Sequence, residues 1–371
     1  MKGKVGVLTT YFASNFGAML QPFALKRHIE KLGYDVEMIR YEQKPIAKFY
    51  NPWKPEVLMS MNPISIGSYL HRLPELLRRD WVFKRFLYKH INSTKGYCKE
   101  IPKDKDYYFI GSDQIWNPKH TKGFDDIYFG NFEIKDGAII ASYAASAENI
   151  EYSEEQISYL KKNIKNFDYV SVRESELENN IRKVTGRQDI CTVLDPTMLV
   201  DPKVYEEVDH IHPCPGENFI FFYDIRNCKK FAGRILNHAK SIGARLVIVS
   251  EMPDKWYKHY AKNHKEVIYL PCAGIEIFLG GMKYAEFVYT ASFHGSVFAI
   301  LNHKNFHTLN LNDDKMTRPR HLLKMLGLQS RLLSIDGCIS EDGINYKEVD
   351  RLLNEQRAFS RDYVLKVLNN R

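Results

Sequence analysis

Apolar and polar positions alternate in blocks along this 371-residue chain. The period within the blocks switches repeatedly between that of a strand and that of a helix. An apolar run over 4–11 predicts a strand, and a helical pattern follows over about 17–32. Gly33 ends that pattern, as glycine commonly does just past a helix, and 35–41 predicts a second strand. The chain therefore opens as a βαβ unit. Residues 43–65 are rich in Pro, Asn and Met and read as a long loop, while 68–92 reads as a helix carrying Pro74. Further strands are predicted near 107–110, 138–145, 168–172 and 190–194.

Two Asp-Pro steps, Asp195-Pro196 and Asp201-Pro202, bracket a short extended segment, and a polar stretch over 209–218 holds two Pro and a Gly. Such composition marks a domain boundary. Beyond it the alternation restarts, with strands predicted at 219–224, 244–250, 266–270, 286–290 and 305–310, and a long amphipathic helix over 345–368. The expected fold class is α/β: two Rossmann-like domains, 1–205 and 206–344, with a cleft between them. The 345–371 segment is a C-terminal helix that could cross back to the first domain. Ligands are expected in the cleft.

Composition narrows the class. The net charge of +8 is compatible with anionic substrates, an anionic membrane surface or nucleic acid. No RNA- or DNA-binding motif accompanies it, so nucleic acid is not expected. The six cysteines form no CxxC and no Cys/His cluster at metal spacing, which suits a reducing cytoplasm. The amino terminus reads as a first strand rather than a signal peptide, and no apolar run is long enough to span a membrane.

Candidate chemistry gathers where predicted strands end. The run Gly111-Ser112-Asp113-Gln114-Ile115-Trp116-Asn117-Pro118 follows the buried-strand pattern Tyr107-Tyr108-Phe109-Ile110. It is either a ligand loop at a strand's carboxyl end or a turn that caps the next helix. After the first strand, Asn15 and Gly17 open a helix whose free N–H groups favour an anion, and Gln21 lies one turn on. Asn15 could equally serve as a plain cap. Arg173, in Ser171-Val172-Arg173-Glu174, places a planar cation at a strand end, as an anion clamp or as a salt-bridge partner of Glu174 or Glu176.

In the second half, His294 stands in Thr290-Ala291-Ser292-Phe293-His294-Gly295-Ser296, between a strand and a helix. An imidazole titrates near neutrality and can move a proton there. Arg318 and Arg320 precede an amphipathic helix. Phe124-Asp125-Asp126 and Asn312-Asp313-Asp314 are acid pairs without further ligands at metal spacing, so no metal is expected. Residues 68–92 interleave Arg and Lys with Leu, Trp and Phe. That pattern fits a helix resting on an anionic membrane or one packed on its own domain.

Taken in order, these loops resemble one family. Asn15-Phe16-Gly17-Ala18 with Gln21 comes first, then Gly111 to Asn117, then Ser142-Tyr143-Ala144-Ala145-Ser146. Ser171-Val172-Arg173-Glu174, Leu194-Asp195-Pro196-Thr197, Ser292-Phe293-His294-Gly295 and the stretch from Arg318 to Leu328 complete the set. It resembles the polysaccharide pyruvyl transferase family, and the Gly111–Asn117 run is its most specific part. The resemblance implies a GT-B-like fold, with the first domain on the acceptor side and the second on the donor side. It implies transfer of a pyruvyl group from phosphoenolpyruvate to a sugar of a surface polysaccharide or its lipid-linked precursor. The product is a ketal and the leaving group is phosphate. No cofactor beyond that co-substrate is implied. Some members carry Arg two residues before the histidine, where this chain has Ser292.

Within that reading His294 is the candidate general acid/base, and Asp113 either orients the acceptor or braces its loop. Arg173, Arg318, Ser292 and Gly295 are candidate donor-binding residues. Asn15, Gly17, Gln21, Ser112, Gln114, Trp116 and Asn117 form the candidate acceptor or cleft loops. The expected partner is a sugar or a lipid-linked oligosaccharide. Two alternatives stay open: a GT-B glycosyltransferase using a nucleotide sugar, and a catalytically idle carbohydrate-binding relative.

Overall fold

Among the described residues, twelve parallel strands, most of them buried, carry the fold. They are β1 (Lys4–Leu8), β2 (Asp35–Met38), β3 (Tyr107–Ile110), β4 (Ile139–Ser142), β5 (Val170–Val172), β6 (Ile190–Thr192), β7 (Phe219–Asp224), β8 (Arg245–Ser250), β9 (Val267–Tyr269), β10 (Phe287–Thr290), β11 (Asn305–Leu309) and β12 (Leu332–Leu333). The coordinates are a computed structural model. It describes residues 2–11, 13–41, 43–44, 47–48, 51–53, 63–91, 98, 100–147, 151–311 and 316–370. Phe12, the acid pair in Asn312-Asp313-Asp314 and much of the 43–65 segment lie outside the described residues.

The first sheet runs β2-β1-β3-β4. Bridges between Ala141 and Tyr169 and between Ala145 and Val172 carry it on to the β5-β6 pair. The second sheet runs β12-β11-β10-β7-β8-β9. Read from its other edge, that is the doubly wound order in which strand order reverses beside the first strand. The reversal falls between β1 and β3 in the first sheet and between β7 and β10 in the second. Parallel strands need helical crossovers on both faces, which is why their sequences are near-continuous apolar runs such as Phe219 to Tyr223. The described residues therefore form an α/β fold with two Rossmann-like sheets.

Predicted strands exceed the observed ones mainly at their carboxyl ends, where the chain leaves the sheet to form loops. The first strand stops at Leu8 rather than at residue 11, because Thr9 and Thr10 already belong to the loop before the first helix. The helix read over 68–92 runs Pro63–Phe86 and passes into a π turn, Leu87–Ile91. β12 is only two residues long and has no readable periodicity.

The C-terminal helix, Tyr346–Leu368, starts against the second half and ends on the first. His303 Nε2 lies 3.0 Å from Asp350 near its start. Further on, Ser360 Oγ accepts the Leu194 N–H at 2.9 Å and Tyr363 donates to the Ser142 carbonyl at 2.8 Å. Tyr34 and Tyr107 both donate to the carbonyl of Leu368. Between the halves the packing is aromatic, with Phe16 stacked on Phe278 at 4.5 Å.

Candidate active site

The loops after β1 and β3 and the loop after β10 all leave the sheets where strand order reverses, so the topology aims them at one place. Asn15 has extended backbone and accepts hydrogen bonds from Gly17 N and Ala18 N, which starts the helix Phe16–Lys31. Ser292 does the same for the helix Phe293–Leu301 by accepting from Gly295 N. His294 thus sits in the first turn of a helix that faces the other half of the molecule. It meets Gly17 there. A Cβ on Gly17 would fall 2.0 Å from His294 Nδ1, so the bare glycine is what admits the ring.

Asp195 lies at the centre of the cluster. Its carboxyl is 0% exposed and caps the short helix Pro196–Leu199, with Oδ1 accepting from Thr197 N at 2.9 Å and from the Thr197 hydroxyl at 2.6 Å. Its Oδ2 accepts from Arg173 Nη1 at 2.5 Å and from Ser112 Oγ at 3.4 Å, and lies 3.5 Å from His294 Nε2. Arg173 also lies 3.4 Å from Glu174 and 3.6 Å from Asp113, with its guanidinium 5.1 Å from the Phe293 ring centre. Arg318 reaches Asp113 at 3.7 Å. Residues from five segments that follow strands of both halves therefore form one network of imidazole, guanidinium and carboxylate.

The charges in it hold each other. Burial opposes ionisation of Asp195, but His294, Arg173 and the Thr197 hydroxyl outweigh it and hold the carboxyl well below the usual carboxylate range. Burial likewise opposes ionisation of Asp113, and Arg173, Arg318 and His294 overcome it and lower its pKa. Burial disfavours the Arg173 cation, yet Asp195, Glu174 and Asp113 raise its pKa further. Both carboxylates are thus anions, and Arg173 stays a cation. Arg173 Nη2 and Glu174 Oε2 are buried and make no hydrogen bond among the described residues. Buried polar atoms are normally paired, so these two mark where a polar ligand would be satisfied.

Several candidates have structural duties instead. Trp116 is 0% exposed: its indole N–H donates to the Tyr128 carbonyl at 2.9 Å and its ring stacks on Phe129. It is core, and no face of it is open to a sugar. Asn117 caps the short helix Pro118–Thr121, and its amide donates to Gln114 Oε1 at 2.6 Å. Gly295 packs on its own strand, where a Cβ would fall 2.5 Å from Thr290 Oγ1, and its N–H is taken by Ser292. The Gly295 N–H is therefore not free for an anion. Ser296 bonds Thr308 Oγ1 at 2.7 Å, so the neighbouring serines do not fix the His294 ring; Asp195 holds Nε2. Asn15 is a cap, and it also reaches across to Glu251 at 3.1 Å. Gln21 donates to Thr9 at 2.7 Å and leaves its buried Oε1 without a hydrogen bond among the described residues.

Asp195 itself is absent from the site residues read in the sequence, although it stands in the run Leu194-Asp195-Pro196-Thr197. An Asp-Pro step at a helix start looks like a cap, and here it is also the centre of the network. The acid pair Asp125-Asp126 is structural, with Asp125 accepting from Tyr41 at 2.8 Å and Asp126 from Tyr159 at 2.5 Å. Among the described residues no group of three or more His, Cys, Asp or Glu could hold a metal ion.

A family model described as polysaccharide pyruvyl transferase matches residues 15–313. The chain belongs to that family. The match takes in the loops that carry Gly17, Asp113, Arg173, Asp195 and His294 and stops just before Arg318. No curated protein matches the chain at a significant level. Among solved structures, UDP-GlcNAc 2-epimerase from Neisseria meningitidis bound to UDP-GlcNAc is similar with a TM-score of 0.52 and 10% identity, over 99% of this chain and 100% of that one. UDP-GlcNAc 2-epimerase from Methanocaldococcus jannaschii follows with a TM-score of 0.49 and 12% identity, over 95% of this chain and 91% of that one. An Escherichia coli heptosyltransferase with ADP has a TM-score of 0.40 and 12% identity, over 95% of this chain and 99% of that one. The first likeness fits the two-sheet topology of this family member and makes its fold GT-B-like.

Proposed function

We propose that the chain transfers a pyruvyl group from phosphoenolpyruvate to two hydroxyls of one sugar, forming a cyclic ketal and releasing phosphate. The acceptor is a sugar of a surface polysaccharide or its lipid-linked precursor. Family membership supports the reaction class. The observation that carries the chemistry is the buried network of Arg173, Asp195 and His294, edged by Asp113 and Arg318.

Phosphoenolpyruvate brings a carboxylate and a phosphate. Arg173 and Arg318 are the cations placed to hold them, and a planar fork suits a carboxylate or phosphate better than a point charge. His294 gives a proton to the methylene carbon, which leaves the adjacent carbon electron-poor. A sugar hydroxyl adds there and releases its proton. The carbon–oxygen bond to phosphate then breaks, and phosphate departs with the bonding electrons. A second hydroxyl of the same sugar closes the ketal and releases its own proton. Asp195 holds the imidazole in place and balances its positive charge. Asp113 is a poor base because its neighbours stabilise its ionised form. An orienting role, accepting a hydrogen bond from an acceptor hydroxyl, suits it better.

The direct test is incubation with phosphoenolpyruvate and candidate acceptor sugars, reading phosphate release together with the mass gain of a ketal. Thermal shift with phosphoenolpyruvate against a panel of nucleotide sugars separates this reading from glycosyl transfer. A shift with nucleotide sugars alone would reject it.

A further inference from the structure

The outer face of the Pro63–Phe86 helix is unusual for a surface that merely meets water. Leu70, Leu77, Trp81 and Tyr88 are between 45% and 59% exposed. At about 100° per residue, the first three fall within roughly 40° of one another around the helix. Tyr88 continues the line in the π turn that follows. Scattered exposed apolar residues need no explanation, but an aligned stripe of two leucines, a tryptophan and a tyrosine does.

The exposed charges beside the stripe are mainly positive: Arg78, Lys84, Arg85 and Lys89. Glu75 and Asp80 are partly covered and pair with Lys258 and Lys84, Arg85 pairs with the buried Glu276, and Lys89 pairs with the exposed Asp209. Around the flank of the helix, about 100–200° from the stripe, a cavity of about 280 Å³ opens between it and the helix Lys255–Asn263. His71 and Arg72 line it from one side, and Lys255, Lys258, His259 and Lys262 from the other. Glu75 is the one acid in that lining. Arg72 donates to the Pro253 carbonyl at 2.8 Å, while its Nε is buried without a hydrogen bond among the described residues.

We propose that this face seats the protein on an anionic bilayer, with the apolar stripe in the headgroup layer and the exposed Arg78, Lys84 and Lys89 toward lipid phosphates. Tryptophan and tyrosine suit that layer because each joins an apolar ring to a polar tip. The flanking cations argue against a second copy of the same helix as the occupant, since self-pairing would bring like charges together. They favour an anionic surface, which attracts each Lys or Arg near it. The inference concerns where the enzyme works and does not depend on the transfer reaction proposed above.

Co-sedimentation with phosphatidylcholine vesicles, with and without phosphatidylglycerol, tests it. The protein should bind the phosphatidylglycerol vesicles at low salt, and raised salt should weaken that binding several-fold. The double variant Leu77→Ser with Trp81→Ser should lower partitioning about ten-fold while keeping the wild-type melting midpoint, because both side chains are exposed. Arg78→Glu with Lys89→Glu should lower it about ten-fold or more through lost attraction. Phosphate release with a soluble acceptor should be unchanged in both variants, which reads the reaction separately from docking. Three results would overturn the proposal: no preference for phosphatidylglycerol, wild-type binding by the Leu77/Trp81 variant, or a solution dimer that this variant dissolves.

Discussion

His294 Nε2 lies 3.5 Å from Asp195 Oδ2, and the two residues come from different sheets. One carboxylate therefore holds both a cation from its own half, Arg173, and an imidazole from the other half. Asp195→Asn keeps the volume and the helix cap but removes the charge. Arg173 is then a buried cation with one counter-ion fewer, a change that typically costs about 3–5 kcal/mol. The expected outcome is a lower melting midpoint and, per folded molecule, a large fall in phosphate release. A variant with wild-type midpoint and turnover would mean that the contact holds nothing.

His294→Asn separates chemistry from binding. The asparagine fits beside Gly17 but cannot deliver a proton to carbon at neutral pH. Turnover should fall by about 10² or more while the affinity for phosphoenolpyruvate stays near that of the wild type. Steady-state phosphate release and calorimetry on the same preparation check both parts. Loss of structure in this variant would assign His294 to the interface between the halves instead.

Arg173→Lys tests the fork. The lysine keeps a positive charge facing Asp195 yet loses the planar pair of donors, including the buried Nη2 that makes no hydrogen bond among the described residues. Binding of phosphoenolpyruvate should weaken by about 1–3 kcal/mol, the worth of a charge-assisted hydrogen bond. An unchanged titration would take Arg173 out of the donor site.

The sequence showed the βα alternation because buried parallel strands leave long apolar runs, and it showed the strand-end loops because Gly, Ser and Asp interrupt those runs. Those cues place His294, Arg173 and Asp113 correctly at loops that converge. They do not show convergence itself, which depends on strand order: Gly17 and His294 are far apart in the chain and touch only because both loops leave their sheets at a reversal. The sequence leaves Trp116 open to a sugar-facing or a buried role, and this loop folds back and buries it against Phe129. Asp195 was passed over because capping and ion pairing leave the same mark in a sequence. The exposed stripe on the Pro63–Phe86 helix had a comparable ambiguity, since alternation alone does not say which apolar side chains face the core.

His307 gives a pH dependence that is independent of the active site. It is 1% exposed, and both ring nitrogens are engaged: Nε2 accepts from the Ser340 N–H at 3.0 Å, so Nδ1 carries the proton and donates to the Arg331 carbonyl at 3.2 Å. Burial, together with the nearby charge of Arg331, pushes its pKa down from 6.5 to about 4. The unfolded chain takes up a proton as pH falls through about 6.5, while the folded chain resists until about 4. The unfolded state therefore binds more protons across that window. Stability is complete above it and declines as the pH drops through it, by up to about 3 kcal/mol from this residue. His28, also lowered to about 4 by burial, acts with the same sign. Denaturant unfolding at a series of pH values between neutrality and pH 4 should show the decline, and His307→Gln should make it shallower because glutamine has no proton to take up. An equally steep decline in that variant would show that the ring is already protonated, or free to become so, in the folded protein.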